Sequence, residues 1–139
     1  MARPAGPKTR CNNQWTESRF KTFIQSLLRQ GTRRWAPITE TEKDARVERG
    51  MYKCALCKEV VPATIKSGKK RVRNVFVDHI EPVVDPTTGF TNWDEYINNM
   101  FCEKHNLQVL CKDCHDNKSK EEREVTVEQR KIRKEAHED

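Results

Sequence analysis

Apolar residues recur at helical spacing near the start of the chain. With Thr16 or Ser18 as a cap and Gly31 as a stop, they predict an amphipathic helix whose apolar face belongs to a core. The stripe consists of Phe20, Phe23, Ile24, Leu27 and Leu28. Residues 1–15 before it combine basic side chains with prolines and a glycine, so we expect a flexible basic arm there.

A second, shorter helix is predicted from about Thr39 to Arg49. Thr39 and Glu42 have the spacing of a capping box, and Gly50 can end the helix. Together the two helices make an N-terminal helical region over residues 16–50.

Segments rich in β-branched residues follow, with turn residues between them. Glu59 to Ile65 and Val72 to His79 flank a Ser67-Gly68-Lys69 turn, which predicts a two-stranded hairpin. A short helix is predicted from Asn92 to about Phe101, and a last helix begins near Lys112 or Asp113. Strands and helices in one short chain indicate an α+β fold.

Composition indicates a small core and a basic surface. The chain has 139 residues, a hydrophobic share of 35%, and 27 Lys and Arg against 21 Asp and Glu, for a formal charge of +6. The apolar share is below the usual ~45–50%, so a bound metal or disulfides should supplement the core. The positive charge suits a polyanion such as a nucleic-acid backbone. Neither a signal peptide nor a long apolar run is visible, which predicts a cytoplasmic protein with no membrane partner.

Four of the six cysteines form two Cys-x-x-Cys pairs, a spacing typical of zinc knuckles. They are Cys54, Cys57, Cys111 and Cys114. Thiolates from two tight turns can supply all four ligands of a tetrahedral zinc, so we predict a structural zinc ion. Disulfides are the alternative, which the spacing and the expected reducing compartment disfavour. Cys11 and Cys102 lie outside the pairs and are expected to be free thiols.

A second set of residues has the chemistry to bind a hard divalent cation and to accept a proton from water. Asp78 supplies a carboxylate and His115 an imidazole, a pair that suits Mg²⁺ or Mn²⁺, or a softer ion such as Ni²⁺ or Zn²⁺. His79 is a candidate general base, and it should face away from its neighbour Asp78, because side chains alternate along a strand. In alternative interpretations, His115 completes the zinc site, Glu81 enters the outer shell of the cation, or His105 competes for the active-site role.

In chain order these residues resemble the HNH endonuclease family, in the zinc-knuckle form of small phage and bacterial nucleases. The matching segments are Cys54-x-x-Cys57, Val77-Asp78-His79-Ile80-x-Pro82 and Asn106-Leu107-x-x-Leu110-Cys111-x-x-Cys114-His115-x-x-Lys118. The resemblance covers residues 51–120 and implies a ββα-metal, or His-Me finger, core in which a hairpin and a helix hold one divalent ion. It also implies hydrolysis of phosphodiester bonds in double-stranded DNA. A helical tail over residues 121–139 follows.

Residue chemistry and the resemblance agree on the roles of the site residues. His79 is the general base, Asp78 and His115 hold the catalytic cation, and the zinc on four cysteines is structural. The resemblance implies that Asn106 holds the loop that orients the base through backbone hydrogen bonds, although an asparagine here could be only a turn residue. One site in each chain favours nicking by a monomer, and the expected state is a monomer or a weak homodimer.

Basic residues outside this set are predicted to contact the DNA backbone. They are Lys118, Arg33, Arg34, Lys66, Lys69, Lys70, Arg71 and Arg73. Lys118 could equally be a solvated helix lysine. Two other interpretations stay open: a zinc-stapled DNA-binding or regulatory module that does not cut, and an accessory nuclease beside phage DNA-processing machinery in the cytoplasm of a bacterial host.

Overall fold

The structure, a computed structural model, describes residues 6–137, and the chain divides into two compact units between Arg34 and Trp35. The described residues contain four α-helices and nine short strands, so the predicted α+β class is confirmed. No helix in this part of the chain is long and apolar enough to cross a membrane.

The N-terminal unit is one helix preceded by a small pair of strands. Thr16 is the cap, since its Oγ1 accepts the Arg19 N–H at 3.1 Å. The predicted arm has regular structure from Lys8 to Arg10, while residues 1–5 lie outside the described part. The elements are β1 (Lys8–Arg10), its antiparallel partner β2 (Trp15–Thr16), α1 (Glu17–Gly31) and a 3-10 turn (Thr32–Arg34).

The apolar stripe of α1 is not a core, which corrects the expectation from its periodicity. Phe23 and Leu27 are 45% and 49% exposed, and α1 has no buried residue. Trp15 packs edge-on against Phe23, with ring centroids 5.3 Å apart. The physical reason is size, because one helix and two very short strands offer too little surface to enclose the stripe.

The second unit opens with a helix and a three-stranded antiparallel sheet. Its elements are α2 (Ala36–Ala45), β3 (Arg46–Glu48), the middle strand β4 (Met51–Lys53) and β5 (Val60–Pro62). The helix predicted from Thr39 to Arg49 was wrong at both its first and its last residue. It begins earlier because Pro37 fits the first turn of a helix. It ends earlier because Arg46 is extended and pairs with Tyr52.

The predicted hairpin exists, but it is shorter than the sequence suggested. Strands β6 (Thr64–Ser67) and β7 (Lys70–Arg73) pair antiparallel around a turn in which Gly68 has a φ of +64°. The second predicted strand breaks at Asn74. The Nδ2 of this buried residue donates to the Pro62 carbonyl at 3.0 Å.

The strand that carries Asp78 and His79 therefore belongs to another sheet, which corrects the prediction that the hairpin delivers them. Strand β8 (Val75–His79) pairs antiparallel with β9 (Leu107–Cys111). In this register Asp78 lies opposite Gln108. Residues 80–106 connect the two strands and contain α3 (Trp93–Met100) and a 3-10 turn (Lys104–Asn106). The predicted start of α3 is confirmed, since Asn92 Oδ1 accepts the Glu95 N–H at 2.8 Å.

Helix α4 (Lys112–His137) begins directly after β9, as predicted, and contacts both β8 and β9. The core lies where the β8–β9 pair meets the first cysteine knuckle. Leu110 and Cys54 are almost fully enclosed there. The Ala55 N–H donates to the Val109 carbonyl at 2.8 Å and ties the knuckle to β9. Two antiparallel strands and the helix after them thus form the part of the fold that carries the candidate site.

Candidate metal centre and hydrolytic site

The four predicted zinc ligands come together at one point. The Sγ atoms of Cys54, Cys57, Cys111 and Cys114 all lie within 4.8 Å of one another. The Cys57 and Cys111 sulfurs are 3.9 Å apart. A tetrahedral zinc with Zn–S bonds of about 2.3 Å requires sulfurs about 3.8 Å apart, so the cluster fits a four-coordinate ion. It does not fit a disulfide, whose sulfurs are about 2.05 Å apart.

Local backbone structure positions each pair of thiols. The Lys58 N–H donates to the Cys54 carbonyl at 3.0 Å, and Lys58 has a φ of +67°, so the first knuckle is a tight turn. Cys111 ends β9, and Cys114 lies in the first turn of α4. A shared ion would therefore hold the knuckle, β9 and α4 in a fixed arrangement.

The four thiols influence one another electrostatically. Burial opposes ionisation of Cys54, but the backbone N–H groups of Cys111, Cys57 and Leu56 outweigh it and lower the pKa of Cys54 to about 6. A hydrogen bond from its thiol to Cys111 raises the pKa of Cys114 to about 12. A cation that binds all four sulfurs must therefore displace protons, which makes its affinity dependent on pH.

Asp78 lies near the end of β8 and makes two polar contacts through one oxygen. Its Oδ2 is 2.9 Å from Lys118 Nζ and accepts a hydrogen bond from Gln108 Nε2 at 3.2 Å. The Asp78 and Lys118 side chains are only 15% and 19% exposed. The predicted cation ligand is thus paired with a side chain of α4.

His79 has different partners from Asp78, as the alternation along a strand predicts. Its Nε2 lies 2.8 Å from the carbonyl oxygen of Met100, at the end of α3. Because a carbonyl only accepts, Nε2 carries a hydrogen, and in the neutral imidazole the lone pair therefore lies on Nδ1. His79 therefore has the tautomer that a base requires at Nδ1.

His115 lies on the same side of β8 as Asp78. Its ring stacks on Phe76, with centroids 4.5 Å apart and planes inclined by 18°. Phe76 and Asp78 are two residues apart on the strand and so share a face. The His115 Nδ1 is buried and has no hydrogen-bond partner among the described residues. It lies 3.6 Å from Asp116 Oδ1, which is too far for a hydrogen bond.

Three or more His, Cys, Asp or Glu residues whose ligand atoms lie within 4.8 Å of one another could hold a metal ion. Within residues 6–137, only the four cysteines form such a group. Asp78 and His115 belong to no such group. The predicted cation site therefore has at most two close protein ligands, and it stays a prediction.

Asn106 fastens the loop that follows His79. Its Oδ1 accepts the Glu81 N–H at 2.9 Å, and its Nδ2 donates to the Glu81 carbonyl at 3.3 Å. Its own carbonyl accepts the Ile80 N–H at 2.8 Å. Asn106 thus holds the backbone of this loop through its side chain and its carbonyl, and its role in orienting the base stays a prediction. Glu81 uses its backbone here, and its predicted outer-shell role is untested.

Two open clefts lie beside this loop. The first has a volume of about 440 Å³ and is lined by residues of the 81–99 segment together with Asn106. The second, about 540 Å³, is lined in part by Ile80, Glu81 and His105. Asp78, His79 and His115 line neither cleft. The candidate site residues of the motif, other than Asn106, therefore lie outside both clefts.

Lys118 is used within the chain. Its Nζ lies 2.9 Å from Asp78 Oδ2, and it donates to the His79 carbonyl at 2.8 Å and to Glu122 Oε1 at 2.7 Å. Burial alone would lower the pKa of Lys118, but the Glu122 and Asp78 carboxylates outweigh it and raise that pKa. All three ammonium hydrogens have partners, so this arrangement leaves none for a phosphate oxygen.

The other predicted DNA contacts differ in whether their side chains are already bonded within the chain. Arg71 is bonded across the hairpin to Thr64, and Arg73 donates to the Val75 carbonyl and pairs with Glu42. The remaining predicted residues are exposed and have no ion pair within the described chain. They are Lys66, Lys69 and Lys70 at the hairpin tip, and Arg33 and Arg34 in the N-terminal unit.

Sequence reasoning missed three residues that support the site. Glu122 stands four positions after Lys118, and this helical spacing could have identified it. Gln108 and Phe76 carry no local signal, because their contacts depend on the long-range pairing of β8 and on the packing of α4. Comparison with family models, with curated proteins and with solved structures finds no match to this chain. The HNH resemblance therefore rests on the residues quoted above.

Proposed function

We propose that this chain is a metal-dependent endonuclease of the HNH type that hydrolyses phosphodiester bonds in double-stranded DNA. One observation carries the proposal: Lys118, Asp78 and His79 join α4 to the end of β8. His115 lies on the same face of β8 as Asp78, and Asn106 fastens the following loop. Motif residues that are far apart in the sequence thus support a single hydrolytic site.

His79 acts as the general base in this proposal. The Nδ1 lone pair takes a proton from water, and the water oxygen attacks phosphorus in line with the 3′ oxygen. The bond from phosphorus to that 3′ oxygen breaks, and the leaving oxygen takes a proton from solvent. The products are a 5′-phosphate and a 3′-hydroxyl. The bond from Nε2 to Met100 holds the ring in this tautomer.

Asp78 and His115 would hold the divalent cation. A carboxylate oxygen and an imidazole nitrogen fit a mixed ligand set, and phosphate oxygens and water can complete it. When bound, the ion stabilises negative charge on the leaving oxygen. Asp78 Oδ2 becomes available only if Lys118 leaves it, and Glu122 can keep the ammonium group because it already contacts Nζ at 2.7 Å.

The four cysteines would hold zinc with a structural role. Their shell is closed, so it offers no open position for a substrate. Cys111 and Cys114 flank the junction of β9 and α4, which lies between Gln108 on the strand and His115 on the helix. The zinc would therefore fix the spacing of the groups that carry the chemistry.

Supercoiled plasmid incubated with Mg²⁺, Mn²⁺, Ni²⁺ or no added cation tests the proposal. We expect nicked circles with at least one added cation, and 5′-phosphate ends that DNA ligase can reseal. Plasmid that stays supercoiled with every cation would contradict it.

The second candidate is a zinc-stapled module that binds DNA without cutting, and one observation favours it. Lys118 neutralises the charge of the Asp78 carboxylate, which a cation would need. Such a module would retard labelled duplex in a gel and leave the plasmid supercoiled.

A further inference from the structure

The positive charge of this protein is concentrated in the N-terminal unit. Residues 1–34 hold eight of the 27 Lys and Arg but only one of the 21 Asp and Glu, which gives this segment a formal charge of +7. The remaining residues sum to −1. Attraction to a polyanion depends on such local excess charge, and the second unit has its own local cluster at the hairpin tip, with Lys66, Lys69 and Lys70.

Three arginines lie close together in sequence at the end of this unit, and we call them the arginine patch. Arg29 lies in the last turn of α1, and Arg33 and Arg34 lie in the 3-10 turn that follows. All three are exposed, and none has an ion-pair partner within residues 6–137. The one carboxylate of the unit, Glu17, lies at the other end of α1 and pairs with Arg10 at 3.0 Å.

A structural role explains only part of this patch. Cations near a helix C-terminus interact favourably with the helix dipole, but the effect falls off within the last turn. Arg29 benefits from it, and Arg33 and Arg34 lie beyond the helix. Like charges at this spacing repel one another, and none of the three arginines forms an ion pair with a carboxylate in the described part of the chain. The patch therefore has the properties of a surface that binds an anion.

We propose that the Arg29, Arg33 and Arg34 patch is an anchoring surface for the phosphate backbone of duplex DNA. The inference rests on the proposed function, which supplies the polyanion. Guanidinium groups match phosphate oxygens in a bidentate geometry and stay charged at all working pH values.

A basic helix can also bind the surface of an anionic membrane, but the sequence of α1 disfavours that partner. Helices that lie on membranes carry Lys and Arg along their polar face. In α1 the centre of that face is uncharged apart from Arg29, which belongs to the arginine patch, and Arg19 and Lys21 lie at its edges. The uncharged positions are Ser18, Thr22, Gln25 and Ser26.

The test compares two full-length, zinc-loaded triple variants of equal charge, R29Q/R33Q/R34Q and the control R123Q/R130Q/K131Q. The control removes three exposed basic residues from α4. Fluorescence anisotropy with a labelled 20-base-pair duplex is measured from 50 to 200 mM salt, without added Mg²⁺ or Mn²⁺. Circular dichroism checks that both variants fold.

For the patch variant we expect at least tenfold weaker binding at 100 mM salt and a salt slope shallower by about 2 to 3, near 0.9 for each lost phosphate contact. The control should keep the wild-type slope. Equal losses in both variants would mean that net charge alone acts, and would overturn the proposal. So would loss of binding to phosphatidylserine vesicles with unchanged DNA binding.

Failure of this proposal is distinguishable from failure of the proposed function. If wild type nicks plasmid while the patch variant keeps the wild-type salt dependence of DNA binding, the anchoring proposal is wrong and the nuclease proposal is retained. If wild type never nicks while the patch variant loses DNA binding, the anchor stands and the nuclease is wrong.

Discussion

Lys118 Nζ lies 2.9 Å from Asp78 Oδ2, so helix α4 is joined to strand β8 by an ion pair with little exposure. The same nitrogen donates to the His79 carbonyl. Lys118 was predicted from sequence as a DNA contact or a solvated lysine, and its three partners instead make it a link between the helix and the two residues proposed to carry the chemistry.

Replacement of Lys118 by Met should destabilise the second unit by about 1 to 3 kcal/mol. The change leaves the Asp78 carboxylate with only Gln108 as a partner in a mostly buried position. Urea denaturation measures the difference. Lys112→Met is the matched control, because Lys112 pairs with Asp116 on an exposed surface and such pairs contribute under ~1 kcal/mol. Equal effects of the two substitutions would contradict the linking role.

Removal of zinc should unfold the second unit. Binding free energies for structural zinc in small domains are about 10 to 16 kcal/mol, which matches or exceeds the typical stability of a domain. Metal analysis should find one zinc in each wild-type chain and much less in Cys57→Ser, whose far-ultraviolet spectrum should be that of a partly unfolded chain. Cys102→Ser lies outside the cluster and should keep both the zinc and the fold. Retention of zinc by Cys57→Ser would refute the four-cysteine site.

His115→Ala should stay folded and lose plasmid nicking by at least about a hundredfold, because the proposed cation loses one of two protein ligands. The stacking on Phe76 is a modest stabilising contact of about 0.5 to 1.5 kcal/mol, so its loss should leave the fold intact. Activity and the urea midpoint are measured on the same preparation. An unfolded His115→Ala would indicate a structural histidine instead.

The pH titration of Glu17 tests whether its hydrogen bonds in the N-terminal unit hold the carboxylate. Hydrogen bonds from Thr9 and then Arg10 lower the pKa of Glu17. A lowered pKa in the folded state stabilises the protein above the unfolded value, and this contribution disappears as the pH falls through the folded value. Carbon-13 titration of the carboxyl group should therefore give a midpoint below the ordinary range in wild type and a higher midpoint in Thr9→Val. The same midpoint in both proteins would show that Thr9 does not hold the carboxylate.

The sequence predicted those features that depend on neighbouring residues. The Thr16 cap, the Asn92 cap, the start of α4 and the four cysteines each follow from short spacings. The pairing of β8 with β9 could not be predicted in this way, because residues 80–106 separate the strands. The break at Asn74 depends on a contact with Pro62. The prediction that the apolar stripe of α1 belongs to a core was wrong, because periodicity shows which face of a helix is apolar but not whether other residues cover that face.

Plasmid nicking by wild type, His79→Ala and His105→Ala tests the central claim most directly. Both histidines lie near the loop fastened by Asn106, but only His79 has a ring nitrogen held by the Met100 carbonyl, while His105 is exposed. We predict that His79→Ala loses nicking with every cation that supports the wild type, and that His105→Ala nicks at the wild-type rate. Wild-type nicking by His79→Ala, or loss of nicking in His105→Ala alone, would contradict the account.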